Sequence, residues 1–130
     1  ELFSSNKAIF IFPAGLVSRR INKKVEDLEW KKTFISRAKK YNKTVVPVHL
    51  DGELSKFFYN LANFRTKLGI KMNIEMLYLA DELYKQKNTT IRITYGEPIP
   101  ASHFNQSKKD IEWAQWVKKQ VYLLKDKEKN

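Results

Sequence analysis

The chain has 130 residues, a formal net charge of +11, 42% hydrophobic and 13% aromatic residues, and no cysteine. This is enough apolar material for one domain with a packed interior, and it excludes disulfides, thiolate metal sites and a cysteine nucleophile together. No apolar run approaches the roughly 20 residues of a membrane-spanning helix, and Glu1-Leu2-Phe3 opens no signal-peptide pattern.

With a strand expected inside the first ten residues and no initiator methionine, the chain reads as a stretch of something longer. Lysines and arginines outnumber acids 25 to 14 and are spread over every segment. A dispersed excess suits an anionic partner such as phospholipid headgroups, nucleic acid or a phosphorylated carrier. It serves solubility equally well, so charge alone names no ligand.

In chain order, the first feature is the apolar run Ala8-Ile9-Phe10-Ile11-Phe12, stopped by Pro13-Ala14-Gly15. Its length and its β-branched and aromatic content predict a buried strand. Pro13 and Gly15 end the ladder and let the chain turn away. Ser18, Arg19 and Arg20 follow where the carboxyl edge of a sheet opens, the edge at which α/β sheets take ligands, and guanidinium forks suit phosphate oxygens. Arg20 to Lys24 reads as a basic loop. Leu28, Phe34, Ile35, Ala38 and Tyr41 share a face of a helix expected over 27–41, with Trp30 near its edge. Lys43 to Leu50 predicts a second strand in which Pro47 implies an edge, a bulge or an end. Strand, helix and strand at this spacing predict a right-handed βαβ unit.

Leu54 to Leu68 predicts a helix that Ser55 helps to start and Gly69 ends. Its four aromatics, Phe57, Phe58, Tyr59 and Phe64, exceed what one buried stripe requires, so some are expected in the core and the rest against acyl chains or a membrane interface. Asn73 is placed to start the next segment; Glu82 to Lys87 predicts helix, whereas Ile74 to Leu79 fits either helix or strand because Glu75 alone interrupts an apolar run. Thr89 to Tyr95 alternates as a strand closed by Gly96-Glu97-Pro98. Residues 107–127 form a long amphipathic, lysine-rich helix, expected to pack on the domain, with a membrane-surface role as its alternative. The fold class is therefore α/β, with a mixed or mostly parallel sheet and flanking helices, divided into a domain over 1–105 and a basic terminal helix over 106–130.

The chemistry present is narrow. Only His49 and His103 could act as imidazole bases. His49 ends the second strand beside Val46 and Pro47 and is a candidate pocket residue, while His103 is expected to face solvent. No serine stands in a Gly-x-Ser-x-Gly turn, no glycine-rich phosphate loop occurs, and no His/Asp/Glu cluster has metal-ligand spacing.

Phe12-Pro13-Ala14-Gly15, with Ser18 and Arg19 after it, resembles the Phe-Pro-Glu-Gly block of the glycerolphosphate and lysophospholipid acyltransferase family. Val45-Val46-Pro47-Val48 resembles that family's last block. Leu79-Ala80-Asp81-Glu82-Leu83 and Ile91 to Ile99 are similar to the domain's tail in the haemolysin-like bacterial branch. The resemblance covers about 8–100. It implies the carboxyl-terminal part of a glycerolphosphate-acyltransferase-like domain, transferring an acyl group from acyl-CoA or acyl-carrier protein to a glycerolipid-type hydroxyl or an ornithine-lipid-type acceptor. No cofactor is implied, since the acyl carrier enters as substrate.

The family's catalytic pair is a histidine and an aspartate separated by four residues. Here the fifth residue after His49 is Leu54 and after His103 is Lys108, so the pair is expected upstream of Glu1, and the chain alone is expected to be inactive. Ala14 stands where the family has glutamate. The resemblance carries Gly15, Ser18 and Arg19 over as substrate-binding positions; Phe12 and Pro13 of the same block are placed with them, and charge and proximity add Arg20. It also implies a cytoplasmic location at the inner face of the membrane; the charge excess adds an anionic lipid surface as partner, and truncation, by uncovering edges and apolar faces, is expected to invite dimerisation of the chain. The competing reading is a non-catalytic basic module for anionic lipid or nucleic acid; the scatter of lysines and the lack of stacking motifs disfavour nucleic acid.

Overall fold

The computed structural model describes residues 2–22 and 24–127. Its elements in chain order are β1 (Arg19–Ile21), β2 (Lys24–Glu26), α1 (Thr33–Tyr41), β3 (Val48–Asp51), α2 (Lys56–Lys67), α3 (Leu79–Lys85), β4 (Arg92–Tyr95) and α4 (Asp110–Lys127), with 3-10 turns at Leu2–Ser4, Ile74–Tyr78 and Ala101–His103. Chain contacts divide it into two compact units. One holds Glu1–Val17, Asp27–Asp51 and Ile93–Asn130; the other holds Ser18–Glu26 and Gly52–Arg92.

The first unit is built on α1 against α4. Phe34, Ile35 and Ala38 recur at helical spacing on one side of α1, and Trp113, Ala114, Val117 and Val121 do so on α4. These residues form one cluster with Ala14, Trp30, Ile99 and Phe104. α1 begins at Thr33, six residues beyond the expected start, because the segment before it is bound sidelong rather than coiled. The Tyr122 hydroxyl accepts the Asp27 N–H at 2.8 Å, Lys118 Nζ donates to the Asp27 carbonyl at 2.6 Å, and Trp30 Nε1 donates to the Asp27 carboxylate at 3.0 Å. α1 ends on Asn42, whose left-handed φ of 48° suits a carboxyl-terminal cap. In the same unit β3 pairs with β4. The pairing is continued by an antiparallel bridge in which Val45 and Ile99 exchange hydrogen bonds at 2.8 Å, and by the Gly96 N–H donating to the Pro47 carbonyl. Pro47, which has no N–H to give, marks the break between the bridge and β3.

Two sequence expectations fail here. Ala8 to Phe12 has no regular secondary structure and belongs to no ladder, since β-structure is a property of paired strands and no described strand pairs with this run. Phe10 and Phe12 are about three-quarters exposed. The expected βαβ unit with parallel strands is consequently not formed, and the pairings of β1 with β2 and of Val45 with Ile99 are antiparallel. The fold is mixed α/β with small antiparallel sheets.

In the second unit the expected basic loop is a hairpin. Arg19 pairs with Glu26, Arg20 with Val25 and Ile21 with Lys24, and Asn22 takes the positive φ of 49° that a tight two-residue connection requires. α2 starts as the sequence predicts, with Ser55 Oγ accepting the Phe58 N–H at 3.2 Å. Gly69, at φ 71°, follows its carboxyl end. Phe58, Tyr59 and Ala62 form its buried side. Ile74 to Tyr78 is a 3-10 turn leading into α3, so the strand alternative for that run is not adopted.

Candidate functional site

The residues proposed from the sequence for substrate binding fall in both units. Phe12, Pro13 and Gly15 lie in the first. Gly15 donates its N–H to the Phe12 carbonyl at 3.0 Å and has a φ of 68°, so Pro13-Ala14 is the centre of a tight turn. The turn is anchored by the Lys31 N–H donating to the Pro13 carbonyl at 3.0 Å, and Lys31 Nζ comes within 3.4 Å of where a Cβ on residue 15 would stand. Ala14 is buried in the core cluster. A carboxylate at that position would therefore have to be desolvated, and alanine avoids the cost. Val46 is exposed, Pro47 is buried, and His49 is buried with Nδ1 lacking a hydrogen-bond partner among the described residues. His103 is exposed, as expected, and stacks on Trp116 with ring centroids 4.9 Å apart.

Ser18, Arg19 and Arg20 lie in the second unit, and the two arginines of β1 have different fates. Arg19 is turned inward. Its Nη2 donates to Glu75 Oε1 at 2.8 Å, and Glu75 has no exposed surface. Arg65, in the last turn of α2, reaches the same carboxylate, with Nε 2.8 Å from Oε2 and Nη2 3.3 Å from Oε1. Its Nη1 donates to the Ile70 carbonyl at 2.7 Å. One carboxylate thus ties β1, α2 and the turn at Ile74–Tyr78 together. Such an ion cluster adds little net stability over an apolar replacement, but it is costly to break.

Arg20, one residue on along the strand, lies half-buried with its guanidinium 5.2 Å above the Tyr59 ring, and Asn63 Nδ2 donates to its carbonyl at 3.2 Å. It makes no ion pair among the described residues. Tyr59 is buried, and its hydroxyl accepts the Leu54 N–H at 3.1 Å. Burial is the main reason that its phenol titrates above the ordinary value, so the ring stays neutral beside the guanidinium. A stacked guanidinium keeps its N–H edges available to an anion. Of the two arginines, Arg20 is the one in position to receive a ligand.

Three residues central to this unit lay outside the sequence-based site: Glu75, Arg65 and Glu82. The signal for Glu75 was available, because a single acid interrupting an apolar run is a buried, paired carboxylate or an error of burial. Glu82, also buried, accepts from the Ser55 N–H at 2.6 Å, Ser55 Oγ at 2.7 Å and Lys85 Nζ at 2.9 Å. Burial alone would raise its pKa; the Ser55 and Lys85 hydrogen bonds outweigh that and hold the carboxyl below the usual range. A carboxyl held low in the folded state contributes stability above the unfolded glutamate pKa of about 4.3 and loses it as pH falls through the lower folded value. Ser55→Ala removes both the α2 cap and a donor to Glu82. It is expected to cost about 1–2 kcal/mol at neutral pH and to flatten the acid side of the stability profile, as read from urea midpoints at neutral pH and below the glutamate range.

The family described as Acyltransferase matches residues 1–129. The chain belongs to this acyltransferase family. It is 52% identical over 122 residues to a lyso-glycine lipid O-acyltransferase of Bacteroides thetaiotaomicron, covering 94% of this chain and 45% of that protein. A lyso-glycine lipid O-acyltransferase of Phocaeicola vulgatus is 51% identical over 122 residues, covering 94% and 44%. The chain thus spans less than half the length of these curated relatives, and no solved structure matches it. Among its described residues no helix is long and apolar enough to cross a membrane.

Proposed function

We propose that this chain is part of a lipid O-acyltransferase that moves a fatty acyl group from acyl-CoA or acyl-carrier protein to the hydroxyl of a lyso-glycine-lipid-type acceptor. The single observation that carries the reading is 52% identity, over nearly the whole chain, to a protein described as a lyso-glycine lipid O-acyltransferase. In this reaction the acceptor hydroxyl attacks the thioester carbonyl, the C–S bond breaks, and the hydroxyl proton passes by way of a base to the departing thiolate. The base is a histidine paired with an aspartate that follows it after four intervening residues. Neither His49 nor His103 has that partner, which leaves the pair to the part of the protein outside this chain. The enzyme works at the inner face of the cytoplasmic membrane, where its acceptor lies.

In the intact domain Ala8 to Phe12 is a strand of a larger, mostly parallel sheet of the glycerolphosphate-acyltransferase type. Its exposed Phe10, Ile11 and Phe12 support that reading, because they suit a strand awaiting neighbours. The acceptor's anionic end is held by Arg20. Arg19 serves the site indirectly, by fixing β1 through Glu75.

The test is the Arg20→Ala variant of the protein at the full length of its relatives. A charged hydrogen bond is worth about 1.5–3 kcal/mol, so kcat/KM for the lyso acceptor is expected to fall about tenfold or more, mainly through KM, with Arg20→Lys recovering part of the loss. An unchanged kcat/KM removes Arg20 from the site.

A further inference from the structure

α2 carries two apolar faces where a core helix needs one. Phe58, Tyr59 and Ala62 make the buried face. Phe57, Leu61, Phe64 and Leu68 recur at i, i+4, i+7 and i+11, a second stripe rotated away from the first. Phe57, Phe64 and Leu68 on this stripe are each more than half exposed, as are Met72 and Leu77 in the segment after the helix. Phe57 is held edge-on against Tyr78 at 5.3 Å, so the stripe and the turn at Ile74–Tyr78 form one surface. Exposed apolar surface on this scale marks an interaction face.

Charge indicates the partner. Lys56, Lys67 and Lys71 are exposed within the same stretch, whereas two of its acids, Glu75 and Glu82, are buried and neutralised by cations. An apolar stripe bordered by lysines, with Glu75 and Glu82 turned inward and the exposed Asp81 paired with Lys85, is the arrangement of a helix that lies in a bilayer interface: aromatic and aliphatic side chains enter the acyl boundary, and ammonium groups extend to anionic headgroups.

We propose that the face made by Phe57, Phe64 and Leu68 of α2, with Met72 and Leu77 beside it, docks the protein on an anionic lipid bilayer and so delivers the site to a membrane-embedded acceptor. The proposal rests on the lipid-acyltransferase reading for its purpose and on α2 for its geometry.

The experiment uses the protein at the full length of its relatives and sedimentation with phosphatidylcholine vesicles, with or without phosphatidylglycerol. The wild type is expected to bind the phosphatidylglycerol vesicles, and less so as salt is raised. The double variant Phe64→Ser, Leu68→Ser is expected to lower the partition coefficient about tenfold or more with Tm unchanged, since both side chains already face water. Lys56→Glu with Lys67→Glu, surface changes that leave the interior intact, is expected to abolish the preference for anionic vesicles. Vesicle binding equal to wild type in both variants overturns the proposal. So does a fall in Tm or a failure to fold in the serine variant, which would mean that the rest of the protein, or a second copy, covers this face.

Acyl transfer separates the two levels of the argument. The serine variant is expected to retain the wild-type rate on acceptor in detergent micelles and to lose it on vesicles. If the wild type transfers to neither form, it is the reading of function that fails, and the binding result stands alone.

Discussion

Glu75→Ala is expected to cost the second unit about 3–5 kcal/mol, the range for breaking a buried ion pair by removing one partner. The size follows from what is left behind. Arg19 and Arg65 are both largely buried and both directed at the one carboxylate, with closest approaches of 2.8 Å. Without it, two guanidinium charges face each other in a medium that cannot solvate them. Three segments distant in sequence, β1, the end of α2 and the turn at Ile74–Tyr78, lose their common fastening. Glu75→Gln keeps the volume and an acceptor oxygen but not the charge, so it is expected to fall between wild type and alanine. Urea denaturation with a probe in the second unit measures both. A loss below about 1 kcal/mol for Glu75→Ala, the scale of an exposed ion pair, would mean that the cluster is not buried in solution. The same variant is expected to weaken acceptor binding even at temperatures where it remains folded, because Arg20 sits on the strand that Arg19 anchors.

Trp113→Ala is expected to destabilise the first unit by a similar amount, about 3–5 kcal/mol, through a cavity at the centre of its core. The indole is 5% exposed and packs edge-on to Phe104 at 5.7 Å, with His103 on another side at 5.2 Å. Its Nε1 donates to the Asn105 carbonyl at 3.1 Å, which ties α4 to the loop before it. Trp113→Phe separates the contributions. It retains most of the apolar contact and loses the hydrogen bond, so a cost of about 1–2 kcal/mol is expected. Thermal melting of the two variants side by side checks the ratio.

What the sequence conveyed about this fold was periodicity. The buried faces of α1 and α4, the Ser55 start of α2, the glycine after it and the strand before Gly96 could all be read, because each depends on residues close together in the chain. What it did not convey was pairing. Ala8 to Phe12 has the composition of a strand, yet the first strand lies at Arg19–Ile21, in residues that read as an anion site and a loop, because a hairpin tolerates arginines wherever a long-range acid accepts one of them. α1 begins late for a related reason. The hydrogen bonds that hold Asp27 out of the helix come from Lys118 and Tyr122, far along the chain.

The candidate site was legible to the same degree. Arg19 and Arg20 looked alike in sequence, and only the location of Glu75 and Tyr59 separates an interior anchor from a half-buried cation stacked on an aromatic ring. Glu75 itself was visible as an oddity in an apolar run, but its two partners lie 56 and 10 residues away, and no local pattern names them.

The most direct test of the account is acyl transfer by the protein at the full length of its relatives, with purified lyso-glycine lipid, acyl-CoA or acyl-carrier protein as donor, and mass spectrometry of the lipid product. The account predicts a new ester on the acceptor hydroxyl and release of the donor thiol in equal amount, with the rate lowered in Arg20→Ala. A folded protein that forms no ester from either donor, or one whose rate is indifferent to Arg20, would contradict it.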